Sequence, residues 1–403
     1  MRRGTDHHQY VARAGHSGPG DKTAAGSRMA LAIVLILVVV ATILFHVLSP
    51  WWFTPLASNW GLLDDTMLIT LAITGAVFIA VNLFIAWVLI RYRHRAGRRA
   101  EFDPENRKLE GWLTAGTSLG IVAMLAPGLY VYSDMISPPQ DAMVVEVLAQ
   151  QWQWRFRFPG EDGRLGLTDT RFMSAGQPFG LNPDDPAGID DRVVDSGDLH
   201  LPLGKPVLVL MRSRDVLHDF YVPQFRSKMD IVPGLVSRLW FTPTQAGRFD
   251  ILCAELCGLG HSNMRGRVVV EDEAEFHTWL AAQPTFAQTR AAGAGEGTEP
   301  LAAQGRALAQ TRGCLACHSI DGSRSIGPGW RGLFGKLETL ADGSSVRIDA
   351  AYVAQSIREP NAAVVRGYPA IMPPSALDER EMAALVAYIE SLAEPPAMQG
   401  TAK

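Results

Sequence analysis

The chain has 403 residues and a formal net charge of −4, with 19% charged and 47% hydrophobic residues. This length is too great for one ordinary domain, and the weakly acidic balance excludes a typical nucleic-acid-binding protein. Four cysteines in such a long chain exclude a disulfide-stapled scaffold. They form two close pairs, Cys253 with Cys257 and Cys314 with Cys317, and none is left over.

Three apolar runs in the first third of the chain predict transmembrane helices over residues 29–48, 67–90 and 112–131. Each run is long enough to cross a hydrocarbon core of roughly 30 Å, and none shows the polar face of a core helix. A cleaved signal sequence is the alternative for the first run, because a basic region precedes it. The length of the run and the lack of a small-x-small cleavage site favour a retained helix.

The basic residues predict the orientation of these helices. Residues 1–28 hold five Lys or Arg against two acids, and residues 91–99 hold five Arg and no acid. The segment 50–66 has no Lys or Arg. By the positive-inside rule, the tail 1–28 and the loop after residue 91 are cytoplasmic, and everything after residue 132 lies outside.

Residues 139–283 show a β pattern instead. Residues 151–158 read QWQWRFRF, which predicts a strand with one buried aromatic face that starts at Trp152. Further strands are predicted at 206–211, 236–242, 248–253 and 266–271, followed by a helix over 272–283. Many short strands in about 130 residues favour a sandwich or small barrel.

The last part of the chain is predicted to be helical. Residues 284–300 are rich in Ala, Gly and Thr without a hydrophobic pattern, so they indicate a linker. Residues 301–394 predict a small helical domain, and residues 395–403 a tail. The last helix is expected to begin at Asp378 and Glu381, because apolar residues then recur at helical spacing.

The motif Cys314-Leu-Ala-Cys317-His318 is the attachment signature of c-type haem. Two thiols on one turn can form thioethers to the haem edge, and the adjacent imidazole can reach the iron. The alternative is a redox or zinc-binding CxxC. A zinc site would need two more Cys or His ligands nearby, and none follows His318.

The expected second axial ligand of this haem is Met372. Flanking prolines hold its loop rigid without helix or sheet hydrogen bonds. Met382 falls on the apolar face of the last helix, and Met398 lies in the C-terminal tail. A His/Met pair raises the haem potential, which suits electron transfer rather than oxygen binding.

A second constellation runs from Cys253 to Met264 and includes Cys257 and His261. Thiolates and imidazole select copper or zinc, and the thioether favours copper. A mononuclear blue-copper site uses one Cys, whereas two thiolates can bridge two copper ions and spread one electron's charge over both. Such a pair needs a second His, for which His218 is the candidate. The alternative is a disulfide between the two cysteines.

The remaining histidines indicate that this chain does not itself reduce oxygen. Oxygen reduction inside a membrane needs several intramembrane histidines for haem and copper. Only His46 lies within an apolar run. The chain is therefore expected to conduct electrons and to pass them to another subunit.

The copper motif with His218, the fused CxxCH and the loop YPAIMPP at 368–374 resemble cytochrome c oxidase subunit II with a fused C-terminal cytochrome c domain, the caa3 type. The resemblance covers roughly residues 60–394. It implies a multidomain fold with N-terminal transmembrane helices, an all-β cupredoxin-like barrel and an all-α class I cytochrome c domain. It also implies a dinuclear CuA centre, with the ligands His218, Cys253, the backbone carbonyl of Glu255, Cys257, His261 and Met264.

The resemblance implies roles for further residues. The Glu255 side chain would look towards subunit I, where a magnesium ion is shared. Trp152 matches the aromatic residue that receives electrons from an external cytochrome c, a route that the fused haem domain would take over. Glu110 resembles an acid at the cytoplasmic mouth of a proton channel. The following Trp112 falls one position earlier than in the family pattern, so an ordinary interfacial glutamate is the alternative.

The function implied is that of an electron-input subunit of a haem-copper oxidase in the bacterial inner membrane, with the copper and haem domains on the periplasmic side. Electrons would pass from cytochrome c or another donor through haem c and CuA to subunit I, which reduces oxygen to water with proton translocation. Subunit III is a further expected partner. The alternatives are the CuA subunit of a nitric-oxide reductase and a membrane-tethered electron carrier without a catalytic partner.

Overall fold

The computed structural model describes residues 20–49, 54–93, 105–174, 177–195, 197–294 and 300–393. Most of the predicted N-terminal tail, the basic loop 94–104, linker residues 295–299 and the C-terminal tail with Met398 lie outside the described residues. The chain divides into two compact units. One comprises Met1–Phe53 and Leu63–Val131, and the other comprises Thr54–Leu62 and Tyr132–Lys403.

Three long apolar helices come first, α1 (Gly20–Leu48), α2 (Gly61–Arg91) and α3 (Arg107–Met135). All three are long and apolar enough, by length and composition, to cross a membrane, which confirms a long apolar helix at each of the three predicted positions. Each helix begins before its predicted apolar run. Hydropathy detects only the part that matches hydrocarbon, whereas polar residues such as Asp64 and Lys108 continue the helix beyond it.

The β domain contains ten strands among the described residues. In chain order they are β1 (Met143–Gln150), β2 (Gln153–Phe158), β3 (Arg192–Val194), β4 (Asp198–Pro202), β5 (Val207–Ser213), β6 (His218–Val222), β7 (Ser227–Ile231), β8 (Ser237–Phe241), β9 (Gly247–Cys253) and β10 (Arg265–Glu271). They form two five-stranded sheets, ordered β3-β2-β1-β5-β8 and β4-β10-β9-β6-β7. Two such sheets agree with the sandwich or small barrel that the strand pattern predicts and with the cupredoxin-like fold that the resemblance implies.

Strand β2 differs from its predicted pattern because both of its faces are buried. Trp154 and the aromatic residues after it are buried as the period of two requires. The opposite face carries Arg155 and Arg157, which are also buried. Arg157 forms ion pairs with Glu146 and Asp191, and these neutralise the charge that burial would otherwise penalise.

Residues 54–60, which precede α2, pack on the β domain within the same unit. The backbone N–H of Ala57 donates to the carbonyl of Gln224, and the Ser58 hydroxyl donates to the carbonyl of Phe225. The Trp60 indole donates to the carbonyl of Trp240 at 2.9 Å. The segment Thr54–Leu62 is therefore part of the same compact unit as the β domain.

Helix α4 (Glu273–Ala281) closes the β domain as predicted, but a further helix, α5 (Phe286–Ala294), follows it. The expectation of an irregular linker over 284–300 is thus wrong for its first half. Thr285 and Gln288 form reciprocal side-chain to backbone hydrogen bonds that start the helix, as in a capping box. Phe286 is buried against a cluster that includes Leu148 and Phe179.

The C-terminal domain is helical, with α6 (Leu301–Thr311), α7 (Ala350–Arg358) and α8 (Glu379–Ser391). A two-stranded hairpin of β11 (Leu337–Thr339) and β12 (Ser345–Arg347) is an addition that the sequence analysis missed. Asp378 and Glu381 form the capping box of α8, as predicted. Met382 is buried in the apolar core of this domain, in agreement with its exclusion as a haem ligand.

Candidate copper and haem sites

Two paired strands bring the remote histidine to the cysteine loop. His218 is the first residue of β6, and Cys253 is the last residue of β9. The two strands pair antiparallel with Phe220 opposite Cys253. The chain then turns and re-enters the sheet at β10, directly after Met264. Sheet pairing thus supplies the contact that sequence spacing alone does not give.

The two cysteine sulfurs form the centre of this cluster. Cys253 Sγ lies 3.7 Å from Cys257 Sγ, well beyond the S–S bond of about 2.0 Å in a disulfide. His218 Nδ1 lies 3.9 Å from Cys253 Sγ, and His261 Nδ1 lies 3.6 Å from Cys257 Sγ. Each imidazole therefore approaches one sulfur through its Nδ1 atom.

Two further donors complete the set. Met264 Sδ lies 3.8 Å from Cys257 Sγ, and the backbone carbonyl oxygen of Glu255 lies 3.2 Å from Cys253 Sγ. His218 and Met264 are fully buried. The structure thus brings together all six predicted copper-ligating groups. Two thiols, two imidazoles, a thioether and a carbonyl are a donor set that fits a pair of soft copper ions.

Burial opposes ionisation of both thiols, and only at Cys253 do hydrogen bonds outweigh this effect on the pKa. Hydrogen bonds from His218 and from the backbone N–H of Asp219 outweigh burial and lower the pKa of Cys253 to about 6. Burial, together with the neighbouring Cys253 thiolate, raises the pKa of Cys257. A metal cation favours the thiolate form, so metal binding at this site would displace a proton from Cys257.

Asp215 is a residue of this site that the sequence analysis missed. Its carboxylate accepts from the backbone N–H of Gln151 at 2.7 Å and lies 2.8 Å from His218 Nε2. The contact holds the imidazole with Nδ1 directed at the sulfurs, as carboxylates commonly do for metal-binding histidines. A carboxylate three residues before a candidate metal-binding histidine is the sequence signal that could have identified it.

The CxxCH motif lies on a short turn, Cys314–Ala316, after α6. His318 Nδ1 lies 2.8 Å from the carbonyl oxygen of Pro328, so Nδ1–H is the donor and Nε2 is left for a ligand. Burial lowers the pKa of His318, which keeps the imidazole neutral as an iron ligand requires.

An apolar cavity adjoins this motif, as a site for a hydrophobic group requires. His318 and Met372 both line it, so the structure places the predicted axial ligands at one cavity. Its other lining residues are mostly apolar and include Ile326, Trp330, Leu333, Ile348, Tyr352, Val353, Ile357, Val365 and Ile371. Two residues of the copper domain, Trp152 and Leu259, also line the cavity.

Trp152 connects this cavity to the copper loop. Its indole N–H donates to the carbonyl of Cys257 at 3.1 Å, and the Gln151 amide donates to the same oxygen at 2.8 Å. The indole lies so close to the turn after Cys257 that a Cβ on Gly260 would come within 2.3 Å of it. Trp152 is thus fixed between the cavity and a candidate copper ligand.

Glu110 lies in the first turn of α3 and is exposed. Its backbone N–H donates to the carbonyl of Asn106 as part of the helix start. The proton-channel role of Glu110 stays a prediction.

Comparison with known proteins gives two domain matches. Residues 143–272 match the periplasmic domain of cytochrome c oxidase subunit II, and residues 302–393 match cytochrome c. The alternative cytochrome c oxidase subunit 2 of Bradyrhizobium diazoefficiens is 57% identical over 259 residues, which cover 64% of this chain and 94% of the relative. Cytochrome c oxidase subunit 2 of Alkalihalophilus pseudofirmus is 27% identical over 346 residues, 81% of this chain and 86% of the relative.

A solved structure of the periplasmic domain of subunit II of cytochrome oxidase from Bradyrhizobium japonicum is also similar. It is 24% identical and has a TM-score of 0.27, covering 36% of this chain and 95% of that one.

Fold and site together define a membrane-anchored electron-transfer subunit with one copper-type and one haem-type domain. The chain belongs to the cytochrome c oxidase subunit II family and carries a cytochrome c domain, as in the fused caa3 type. Proteins of this family are part of a haem-copper oxidase. The two matched domains of this chain imply a CuA centre and a haem c.

Proposed function

We propose that this chain is the electron-input subunit of a haem-copper oxidase and conducts electrons along one route within itself. They come from cytochrome c or another donor, pass the haem domain and then the copper domain, and leave to subunit I. Subunit I reduces oxygen to water with proton translocation, and subunit III completes the complex.

The copper ligands in this proposal are the six groups that surround the two sulfurs. They are His218, Cys253, the carbonyl of Glu255, Cys257, His261 and Met264. The two sulfurs lie 3.7 Å apart, and each of the other four donor atoms lies 3.2 to 3.9 Å from one of them, which supports the assignment. When bound, the copper pair supplies a one-electron couple shared between two ions, and the haem supplies a second couple. Asp215 orients the His218 imidazole, and burial keeps water from the sulfurs.

In the haem domain, Cys314 and Cys317 would attach the cofactor, and His318 and Met372 would hold its iron. The carbonyl of Pro328 sets the tautomer of His318 and leaves Nε2 free for the iron. Met372 lines the cavity beside the prolines that flank it in sequence. A thioether opposite an imidazole raises the potential of a haem towards values suited to electron delivery.

One observation carries the proposed route: the Trp152 ring lines the haem cavity, and its indole N–H binds the carbonyl of Cys257. A single side chain therefore spans from the wall of one cofactor site to the backbone of a ligand of the other. Trp152 is half-buried and shares this cavity wall with residues of the haem domain. This supports electron input at Trp152 from the haem of the same chain.

The proposed arrangement in the membrane is multi-pass, with both redox domains on the periplasmic side of the bacterial inner membrane. Thr54–Leu62 and Tyr132–Lys403 belong to one compact unit, so the connections before α2 and after α3 lie on the same side. The basic loop 91–99 is then on the opposite, cytoplasmic side.

The proposed domains are a tail (1–28), membrane helices (29–138), a copper domain (139–283) that α5 extends, a linker, and a haem domain (301–394). The magnesium ion beside Glu255 and the proton-channel role of Glu110 concern surfaces shared with subunit I. They are proposals for the assembled complex.

The experiment that tests the route is Trp152→Leu in the intact oxidase. We expect both cofactor spectra to be retained, reduction of the haem domain by external donor to be unchanged, and reduction of the copper domain to slow. Trp279→Phe is the matched control, because Trp279 stacks on His200 elsewhere in the copper domain. An unchanged rate of copper reduction in Trp152→Leu would overturn the proposed route.

The proposed reaction is tested by purification with the partner subunits. Oxygen uptake driven by reduced cytochrome c is expected, without consumption of nitric oxide as the main substrate. A complex that reduces nitric oxide but not oxygen would contradict the proposal, as would isolation of the chain without a haem-copper subunit.

A further inference from the structure

The copper domain contacts the haem-attachment segment through hydrogen bonds to main-chain carbonyls. The Gln153 amide donates to the carbonyl of Thr311 at 3.0 Å, and an Arg155 Nη2 donates to the same oxygen at 3.1 Å. The Asn263 amide donates to the carbonyl of Ala316 at 2.8 Å. Both acceptors lie within a few residues of the haem-binding cysteines.

The helix that precedes the haem motif explains why the Thr311 carbonyl accepts these hydrogen bonds. Helix α6 ends at Thr311, and the last carbonyls of a helix have no intrahelical donor and carry partial negative charge. A guanidinium and an amide placed at this end satisfy the carbonyl and complement the helix dipole. The contact therefore recognises the position and direction of α6.

Arg155 is held in place by the copper domain itself. Its side chain is 1% exposed and lies 2.9 Å from an Asp195 carboxylate oxygen. A second guanidinium nitrogen donates to Gln150 Oε1 at 3.1 Å. Asp195 and Gln150 thus hold two of the three guanidinium nitrogens. Because the guanidinium group is planar, the third nitrogen, Nη2, is then directed at the end of α6.

The backbone at the haem motif approaches the copper domain closely. Gly313 has a φ of +71° and a Cβ at this position would lie 3.0 Å from the carbonyl oxygen of Gln151. A side chain here would therefore separate the two surfaces by a few tenths of an ångström or more. The contact needs both the left-handed backbone and the small size of glycine.

We propose that Gln153, Arg155 and Asn263 form a docking latch that holds the haem domain in one orientation on the copper domain by binding the carbonyls of Thr311 and Ala316. The latch keeps Trp152 and Leu259 at the wall of the haem cavity. Its role in electron transfer rests on the proposed function, whereas its role in docking does not.

The chemistry of the latch sets it apart from docking between separate redox proteins. Docking by surface charges is screened by salt and weakens as ionic strength rises. The latch instead uses a buried guanidinium and main-chain acceptors, which solvent ions screen little. Docking in this chain is therefore expected to persist at high salt.

The first test measures docking without any activity, by hydrogen exchange of the full-length chain in detergent. In Gln153→Ala/Arg155→Gln, the exchange rate in segments 150–153, 258–264 and 311–317 is expected to rise about tenfold. A change of this size corresponds to the loss of one charge-assisted hydrogen bond. Gln283→Ala is the matched control, because its amide donates to a helix-end carbonyl inside the copper domain. Unchanged exchange at these three segments in the double variant would overturn the latch.

A second variant avoids the copper-domain core, where loss of Arg155 could disturb the barrel. Gly313→Ala adds one methyl group at the contact, and Gly335→Ala adds one at a φ of +83° with no atom within 4 Å. Both carry the same backbone strain. The latch predicts faster exchange at segment 150–153 in Gly313→Ala only, and equal exchange in the two variants would contradict it.

The third measurement separates failure of the latch from failure of the proposed function. After photochemical reduction of the haem domain in the intact oxidase, the rate of copper reduction is followed at low and high salt. In the wild type, the rate of copper reduction is expected to be the same at low and high salt. In the double variant, the rate is expected to be about tenfold lower and to depend on salt. Absence of transfer in the wild type would refute the route, whereas equal rates in wild type and variant would refute the latch alone.

Discussion

The two candidate cofactor sites are built on different principles. Five of the six proposed copper-ligating groups lie within twelve residues, and sheet pairing adds His218, so that each donor lies 3.2 to 3.9 Å from a cysteine sulfur. The haem site instead combines a short attachment motif with an apolar cavity whose walls come from many loops and from α7. In the proposed sites, copper would depend on coordination alone, whereas haem would also be anchored by covalent bonds and by apolar contact. Loss of a ligand should therefore have opposite consequences at the two sites.

The largest expected effect is that of Cys257→Ser at the copper site. Cys257 Sγ lies at the centre of contacts to Cys253, His261 and Met264, so its loss would remove one of the two thiolates proposed to hold the copper pair. We expect the purple mixed-valence copper absorption to vanish while the haem spectrum persists. The optical spectrum of the purified complex measures both, and a retained copper absorption would contradict the assignment.

Met372→Ala is the corresponding change at the haem site, and the cofactor is expected to stay. The proposed thioethers to Cys314 and Cys317 would not involve Met372, so haem content should remain at the wild-type value. The potential should fall or the spin state should change, because the axial thioether is lost. Redox titration and the optical spectrum test this, and an unchanged spectrum and potential would point to another axial ligand.

A smaller effect is expected from Asp215→Asn, which keeps every copper ligand. The carboxylate that fixes the His218 tautomer is replaced by an amide, and loss of such a partner typically weakens metal binding by about 10- to 100-fold. Competition with a copper chelator measures the affinity. Asp195→Asn is a useful control, because its carboxylate contacts Arg155 rather than a copper ligand. Equal copper affinity in wild type and Asp215→Asn would exclude the orienting role.

The smallest expected effect concerns pH and the buried charges of the copper domain. Burial raises the pKa of Asp191 to about 6, above its value of 3.8 in an unfolded chain, despite the ion pair with Arg157. The folded state therefore binds the Asp191 proton more tightly than the unfolded chain does. The resulting contribution to folding stability is full below about pH 4 and is lost as pH rises through 6. Asp191→Asn should remove this dependence.

Urea unfolding of the copper domain between pH 4 and 7 measures that dependence. The difference in stability between wild type and Asp191→Asn is expected to change with pH over this range. A difference that stays constant would show that Asp191 does not titrate as its burial implies.

The parts of the molecule that depend on local sequence were predictable, and those that depend on distant contacts were not. The CxxCH motif and the loop from Cys253 to Met264 carry their chemistry in consecutive residues. The long apolar runs likewise report on the membrane directly, because hydropathy is a property of each segment alone. Helix α5 was missed because its start depends on a Thr285 and Gln288 capping pair within an otherwise Ala- and Gly-rich stretch.

The contact between the copper and haem domains left no signal in the sequence. Its acceptors are main-chain carbonyls of Thr311 and Ala316, which any residue could provide. Its principal donor, Arg155, lies on the face of β2 that the alternating pattern marks as polar and solvent-exposed. Only the fold reveals that a second domain covers that face.

The most direct test of two redox centres in one chain is the metal and haem content of the purified full-length protein in its complex, with subunit I cofactors subtracted. The proposed function predicts two copper ions and one covalently bound haem c for this chain, together with the mixed-valence copper absorption. A single copper ion, zinc in its place, or no covalently bound haem would contradict it.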